Sequence, residues 1–216
     1  MSYCVFQYET EINIESVRKS LVDLVLQCLE SNKPITKAEF YARIPKLLCG
    51  SYPERAGKSV KASLDALLWK YSELTGKYCG CQYWSVKAKA LFDEHLDRYL
   101  NGRFPTPGDA RKIVRVLQKK SQDYNQRIVH EHVFPRAQLV RLLMELKVPP
   151  AKESLDKLMR RLATGCVVLG SEDNLLDKYK GNCDNPWLRY KGLIKLAENK
   201  KWEPLHQDLI KKAELL

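Results

Sequence analysis

The stretch Arg127-Ile-Val-His-Glu-His-Val-Phe-Pro-Arg136 places two histidines and a carboxylate directly before a proline. Apolar and polar residues alternate along it with a period of two, which is typical of a β-strand. His130 and His132 are therefore predicted on one face of the strand, and Glu131 on the other. Pro135 cannot donate a hydrogen bond to a neighbouring strand, so the strand is predicted to end there.

The residues after this strand predict a second strand and a further helix. Two helical stretches, residues 138–147 and 152–163, come first, and the apolar residues 166–169 then read as a buried strand that can pair with the first. Ser171 is predicted to cap the helix that follows, because Glu172 and Asp173 would occupy its first turn, where the helix dipole favours negative charge.

The N-terminal half shows apolar residues at helical spacing over residues 13–31 and 57–76. Between them, Thr36 and Glu39 form a capping-box pattern that predicts a second helix ending near residues 49–50. Residues 77–84 read as a small hairpin.

Three helices followed by a hairpin suggest a winged-helix arrangement. Its third helix, with Lys58, Lys61 and Lys70, would then lie against DNA. A plain helical bundle with solvated lysines is the alternative.

A domain boundary is predicted within residues 101–108, which hold two glycines and two prolines. The predicted domains are therefore residues 1–104, which are helical, either winged-helix-like or a plain bundle, and bind nucleic acid or a partner, and residues 105–216. The net charge is +11 in total, +3 before residue 105 and +8 from there on. Such a basic excess points to a polyanionic partner, since net charge reports on phosphate binding more than on fold.

Two basic groups outside the strand are further candidates for nucleic-acid contact. Arg115 and Lys119 lie on the predicted outer side of a helix just upstream of the strand, where they either contact phosphate or are simply solvated. Arg189 and Lys191 flank Tyr190, and mixed aromatic and basic residues suit base stacking and phosphate contact. Core aromatics with a basic rim explain the second group equally well.

Composition also sets expectations about location. The seven cysteines are an odd number in a chain whose N-terminal residues lack the pattern of a secretion signal, so reduced thiols are expected. A zinc site built from Cys79, Cys81, Cys166 and Cys183 is the alternative to buried or idle thiols. No stretch approaches the roughly 18 apolar residues of a membrane helix. A cytoplasmic protein without a membrane partner is therefore expected.

The segments Glu131-His132-Val-Phe-Pro135-Arg136, residues 166–169 and the helix opening at Ser171 resemble the ββα-metal fold of HNH-type endonucleases. The resemblance covers roughly residues 127–180. It implies a mainly α protein with a small β component, in which a ββα-metal-like core with a helical insertion follows the N-terminal helices.

In that family the acidic residue before the histidine commonly binds a metal ion, and the histidine accepts a proton from the attacking water. Carried over, Glu131 is the metal ligand and His132 is the general base. The helix would add Asn174 or Asp173 as a ligand, and Lys178 could touch a phosphate, as could Arg136. The helix lacks the family's histidine, and an acid or amide oxygen in its place favours Mg²⁺ or Mn²⁺ over Zn²⁺.

These residues together predict a divalent-metal-dependent endonuclease that hydrolyses DNA, with RNA left open as the substrate. Restriction or mobile-element defence is the setting that the resemblance implies, and double-strand cleavage by one site per chain would favour a homodimer. A non-catalytic DNA-binding regulator is the first alternative. An inhibitor or immunity-type protein that uses its basic surface against an acidic partner is the second.

Overall fold

The computed structural model describes residues 14–44, 52–76, 83–119, 123–199 and 202–216. This part of the chain is mainly helical and contains one two-stranded antiparallel sheet, which confirms the predicted mainly α class with a small β component. None of the helices in these ranges is long and apolar enough to cross a membrane.

The elements follow one another along the chain with short 3₁₀ turns between some of them. They are α1 (Ile14–Ser31), α2 (Lys37–Arg43), a 3₁₀ turn (Glu54–Lys58), α3 (Val60–Gly76), α4 (Val86–Leu100), α5 (Pro107–Leu117), a 3₁₀ turn (Tyr124–Gln126), β1 (Ile128–His132), α6 (Arg136–Met144), α7 (Lys152–Leu162), β2 (Gly165–Leu169), α8 (Gly170–Leu176), a 3₁₀ turn (Pro186–Tyr190) and α9 (Pro204–Lys212).

The capping box predicted for α2 is present. The Thr36 hydroxyl accepts from the Glu39 N–H at 3.2 Å, and the Glu39 carboxylate accepts from the Thr36 N–H at 2.8 Å. The helix ends at Arg43, earlier than predicted, because Ile44 has an extended backbone. Ile44 precedes a proline, and the proline ring disfavours the helical conformation of the residue before it.

The chain divides into two compact units, each built from separate segments. A helical unit comprises Ile12–Leu74 and Phe134–Thr164, and a sheet unit includes Thr75–Val133 and Gly165–Leu216. The predicted domain boundary after residue 104 therefore lies inside the sheet unit. The two helices predicted between the strands are present as α6 and α7, and they belong to the helical unit.

The helical unit has one core, to which α1, α2, α3, α6 and α7 all contribute. Leu21, Leu67 and Leu155 are among its fully buried side chains. On the surface, α1 and α7 are also linked by ion pairs, Lys152 with Asp23 at 2.5 Å and Arg160 with Glu15. The N-terminal helices thus share their core with α6 and α7, which cover apolar side chains that would otherwise be exposed to water.

The predicted winged-helix arrangement depends on a hairpin that lies mostly outside the described residues, since residues 77–82 fall there. Of the three lysines proposed to face DNA, Lys58 and Lys61 are exposed. Lys70 is buried and pairs with Glu73 at 3.1 Å, so it is not available to phosphate.

The sheet pairs the two strands that the sequence predicted. Ile128 lies opposite Leu169, Glu131 opposite Cys166, and His132 opposite Gly165. The segment before α4 joins the edge of β2, where the Ser85 N–H donates to the Val167 carbonyl at 2.8 Å.

Each face of the sheet packs on a separate core. One core contains Val133, Cys166 and Val168 with the aromatic rings of Trp187 and Tyr190. On the other face the core combines strand residues with α4 and α5; its buried members are Trp84, Ala88, Leu96, Leu100, Ile113, Val114, Leu117, Ile128 and Val167.

The start of α8 packs closely on the 3₁₀ turn before β1. The Gly170 N–H donates to the Arg127 carbonyl at 2.8 Å. A Cβ atom at Gly170 would lie 1.8 Å from the Tyr124 carbonyl oxygen, a distance that backbone atoms cannot tolerate. This contact fixes α8 beside the beginning of β1.

We expect Gly170→Ala to lower the free energy of unfolding by at least about 2 kcal/mol, because the new methyl group must displace backbone. The matched control is Gly108→Ala in the exposed first turn of α5, where the nearest atom is 3.8 Å away. There alanine should be neutral or stabilise by roughly 0.5–1 kcal/mol, since it favours the helix over the unfolded chain. Urea unfolding measures both, and equal effects would contradict the packing described.

Candidate functional site

Glu131, the fourth of the five residues of β1, points toward a buried arginine. Its side chain is 16% exposed and forms an ion pair with the guanidinium of Arg189. The same guanidinium donates to the His132 carbonyl at 2.9 Å. The predicted metal ligand is therefore held by a cation that the chain itself supplies.

Arg189 comes from the 3₁₀ turn Pro186–Tyr190, whose first turn is capped by Asn185. Besides Glu131, it donates to the Leu176 carbonyl at 2.9 Å and to the Tyr179 carbonyl at 3.2 Å. These carbonyls lie at and just beyond the end of α8, where helix carbonyls lack partners within the helix. Arg189, predicted to contact nucleic acid, thus lies buried inside the sheet unit.

Burial raises the pKa of the Glu131 carboxyl above its usual value, and the Arg189 guanidinium opposes this shift. The negative charge of Asp173 raises it further. Asp173 lies in the first turn of α8, so the strand carboxyl and the helix carboxyl are close enough to influence each other. The charge of Asp173 on α8 therefore affects the protonation of Glu131 on β1, and these are the two predicted acidic ligands.

Asp173 accepts a hydrogen bond from the hydroxyl of Tyr124. Burial and this hydrogen bond to the carboxylate raise the pKa of the Tyr124 phenol to about 12, so the hydroxyl stays a donor at neutral pH. Asn174, the other predicted ligand from the helix, is exposed, and its amide nitrogen lies 3.5 Å from the Asn125 side-chain oxygen.

This donor set does not fit a Mg²⁺ or Mn²⁺ ion. Mg²⁺ requires a nearly octahedral shell of oxygen atoms, whereas Glu131 faces a guanidinium, Asp173 faces a phenol, and Asn174 points to a neighbouring amide. Within the described ranges, no group of three or more His, Cys, Asp or Glu side chains could hold a metal ion.

The alternative zinc quartet is not assembled by the residues that can be placed. Cys166 is buried in the sheet core and Cys183 is exposed. Cys79 and Cys81 lie outside the described residues.

The two histidines of β1 lie on the face opposite Glu131, as the alternation predicts. Their ring centroids are 5.3 Å apart and the rings are nearly perpendicular. The His130 ring lies against Gly165, because a Cβ atom there would be 2.2 Å from the ring. His132 is half-buried, and its ring is separated by the strand backbone from the carboxyl that was predicted to work beside it.

The remaining basic candidates have different surroundings. Arg136 belongs to the helical unit, where its guanidinium pairs with Asp65 at 2.6 Å and lies 4.7 Å from the centroid of the Trp69 ring. Lys191 pairs with Glu214 at 3.1 Å. Lys178, Arg115 and Lys119 are exposed, the last two on or just beyond α5.

Sequence reasoning missed two polar contacts that shape this region. Glu172 is buried and accepts from the Ser85 hydroxyl at 2.5 Å and from the Leu169 N–H at 2.9 Å. The Trp187 indole donates to the buried His206 ring at 2.9 Å. The glutamate three residues into a helix was a readable signal for its capping bond. The sequence carried no signal for the long-range contacts of Ser85 and His206.

Comparison with known protein families, with curated proteins and with solved structures gave no significant match.

We expect Arg189→Met to lower the free energy of unfolding by about 3–5 kcal/mol, the usual effect of breaking a buried ion pair from one side. The double variant Glu131→Gln, Arg189→Met should lose less than the sum of the two single variants, because neither leaves the other's charge unpaired. Arg189→Lys should recover only part of the loss, since an ammonium cannot reproduce the planar fork of donors. If the losses of unfolding free energy in the two single variants simply add up in the double variant, Glu131 and Arg189 do not stabilise each other.

Proposed function

We propose that the protein binds nucleic acid through a basic stripe on α5. The stripe consists of Lys112, Arg115 and Lys119, all of them exposed. Lys112 and Arg115 lie about one turn apart on one side of α5, and Lys119 follows two residues after the helix ends. This arrangement is the observation that carries the proposal.

The core side of α5 explains why the stripe faces solvent. Ile113, Val114 and Leu117 are buried in the core against Ile128 and Val167 of the sheet. The helix is therefore fixed in rotation, and the basic residues keep their outward direction without a ligand. A surface with this preorganised charge can bind phosphates without first ordering a segment.

The charge of the whole chain supports a polyanion as the partner. The residues from 105 to 216 carry a net charge of +8, and α5 belongs to this basic part. Phosphate contacts of this kind release condensed counterions, so they produce a characteristic dependence of affinity on salt. An acidic protein surface would give a weaker dependence.

We expect the affinity for a labelled DNA duplex, measured by fluorescence anisotropy over a range of salt concentrations, to fall linearly on a log–log plot. The triple variant Lys112→Gln, Arg115→Gln, Lys119→Gln should reduce the slope by roughly 2–3, because each phosphate contact contributes about 0.9.

The control for net charge is Arg55→Gln, Lys58→Gln, Lys61→Gln, which removes three exposed basic residues from the helical unit. It should leave the slope nearly unchanged. A larger effect from the control than from the stripe would move the binding surface to the helical unit and favour the winged-helix interpretation. Binding without salt dependence would favour a protein partner.

A second candidate function is phosphodiester hydrolysis of the HNH type. It is favoured by the order β1, β2, α8 together with the position of His132, a half-buried histidine at the end of β1. In this proposal His132 takes the proton from the attacking water, since an imidazole can accept a proton near neutral pH. Because the carboxyl donors do not fit a divalent ion, we assign only the proton step to this chain.

For a nuclease of this type, we expect the wild-type protein to nick supercoiled plasmid. The His132→Ala variant should lose this activity. His95→Ala is the matched control, because His95 is a lone histidine on α4 in the same unit. Reactions with Mg²⁺, with Mn²⁺ and with EDTA distinguish metal-assisted from metal-free cleavage. If the plasmid stays intact under all three conditions while the protein still binds it, the hydrolytic function is ruled out and the nucleic-acid-binding function stands.

A further inference from the structure

An aromatic side chain stands almost fully in solvent shortly before the basic stripe in the chain. Phe104 is 93% exposed, and the next most exposed large apolar residue among those described is Val148 at 74%. It lies in the connection between α4 and α5, after Asn101 and Gly102, which both have positive φ and turn the chain at the end of α4. Hydrophobic burial does not explain a phenylalanine at this position.

The backbone holds Phe104 in place. Pro105 follows directly, and a proline restricts the residue before it to extended conformations. Thr106 then caps α5, its N–H and hydroxyl both donating to the Asp109 carboxylate at 3.0 and 2.7 Å. These hydrogen bonds lower the pKa of Asp109, so the carboxylate is committed to the cap. The exposed ring is therefore displayed on a short, fixed connection.

A second exposed ring, Tyr99, lies at the end of α4 next to two cations. It is 39% exposed. The Lys112 ammonium is 3.2 Å from its hydroxyl and 5.7 Å from its ring centroid, and the Arg103 guanidinium is also 5.7 Å from the centroid. Lys112 is the first residue of the basic stripe, so Tyr99 borders the stripe directly, and Phe104 follows Arg103 in the chain.

The partner must offer both flat apolar faces and negative charge. Unpaired nucleotides do so, because each base has an open π-face and each link a phosphate. Bases in a duplex are stacked inside the helix and present only their edges. Of the acidic residues nearby in the chain, Asp109 is tied into the cap and Glu94 pairs with Arg98, whereas Asp97 is exposed.

We infer that Tyr99 and Phe104 form a stacking platform for unpaired bases, with Arg103 and the basic stripe contacting the phosphates of the same strand. The preferred ligand is therefore single-stranded nucleic acid. This inference rests on the proposed nucleic-acid binding and adds to it a ligand class and the residues that select it.

The test compares a labelled oligothymidine of twenty nucleotides with a duplex of equal length at one salt concentration. Stacking on one base contributes roughly 5- to 150-fold in affinity, so Phe104→Ala should weaken single-strand binding about tenfold and duplex binding less than about twofold. Phe104→Trp should retain single-strand binding, whereas Phe104→Leu, which keeps an apolar side chain but no ring, should not. Urea unfolding should be unchanged in all three variants, because the side chain contacts little.

The outcomes separate the inference from the proposed function. If Phe104→Ala weakens binding of the single strand and of the duplex equally, or weakens neither, the stacking platform is overturned. Nucleic-acid binding still stands in that case, provided that the salt dependence of affinity is reduced by the substitutions in the basic stripe. Wild-type affinity in Phe104→Leu overturns the platform as well, since it shows a general apolar contact of the kind a protein partner makes. Absence of binding to either nucleic acid overturns both.

Discussion

The ion pair between Glu131 and Arg189 holds together the parts of the sheet unit that are far apart in sequence. Arg189 binds a carboxylate on β1, the His132 carbonyl at the end of β1, and two carbonyls at the end of α8. An unpaired charge or carbonyl in this position would carry a large desolvation cost. The strand, the helix end and the 3₁₀ turn can therefore be buried together only while this set of contacts is complete.

This arrangement changes the interpretation of the ββα order of elements. In the HNH-type arrangement considered above as a proposal, the strand acid and a helix residue would hold a metal ion, and the positive charge would come from solution. Here a guanidinium from the same chain lies against the strand acid, and a tyrosine hydroxyl lies against the helix acid. The sheet and α8 are thus joined by side chains of the protein itself.

On the opposite face of the sheet, strand residues pack against α5, the helix that carries the proposed binding surface. Ile128 and Val167 pack with Ile113, Val114 and Leu117, and this packing turns the basic residues of α5 outward. The connection before α5, which carries Phe104, ends in the capping box of Thr106 and Asp109. One small sheet therefore separates a buried ionic core from a helix that displays cations and exposed rings.

The sequence by itself determined the local elements. Alternation gave β1 and its two faces, helical spacing gave most helices, and the Thr36–Glu39 pattern gave a capping box that is present. Each of these signals comes from a few neighbouring residues.

Only the tertiary structure decided which partner each buried face and charge receives. Apolar spacing could not show that α6 and α7 complete the core of the N-terminal helices. Composition could not show that Arg189 and Lys70 are buried while Arg115 and Lys119 are exposed. Periodicity identifies a face that must be covered, and a charge identifies a group that needs an opposite charge or water. Neither identifies the distant residue that meets this need, because that choice depends on how the whole chain packs.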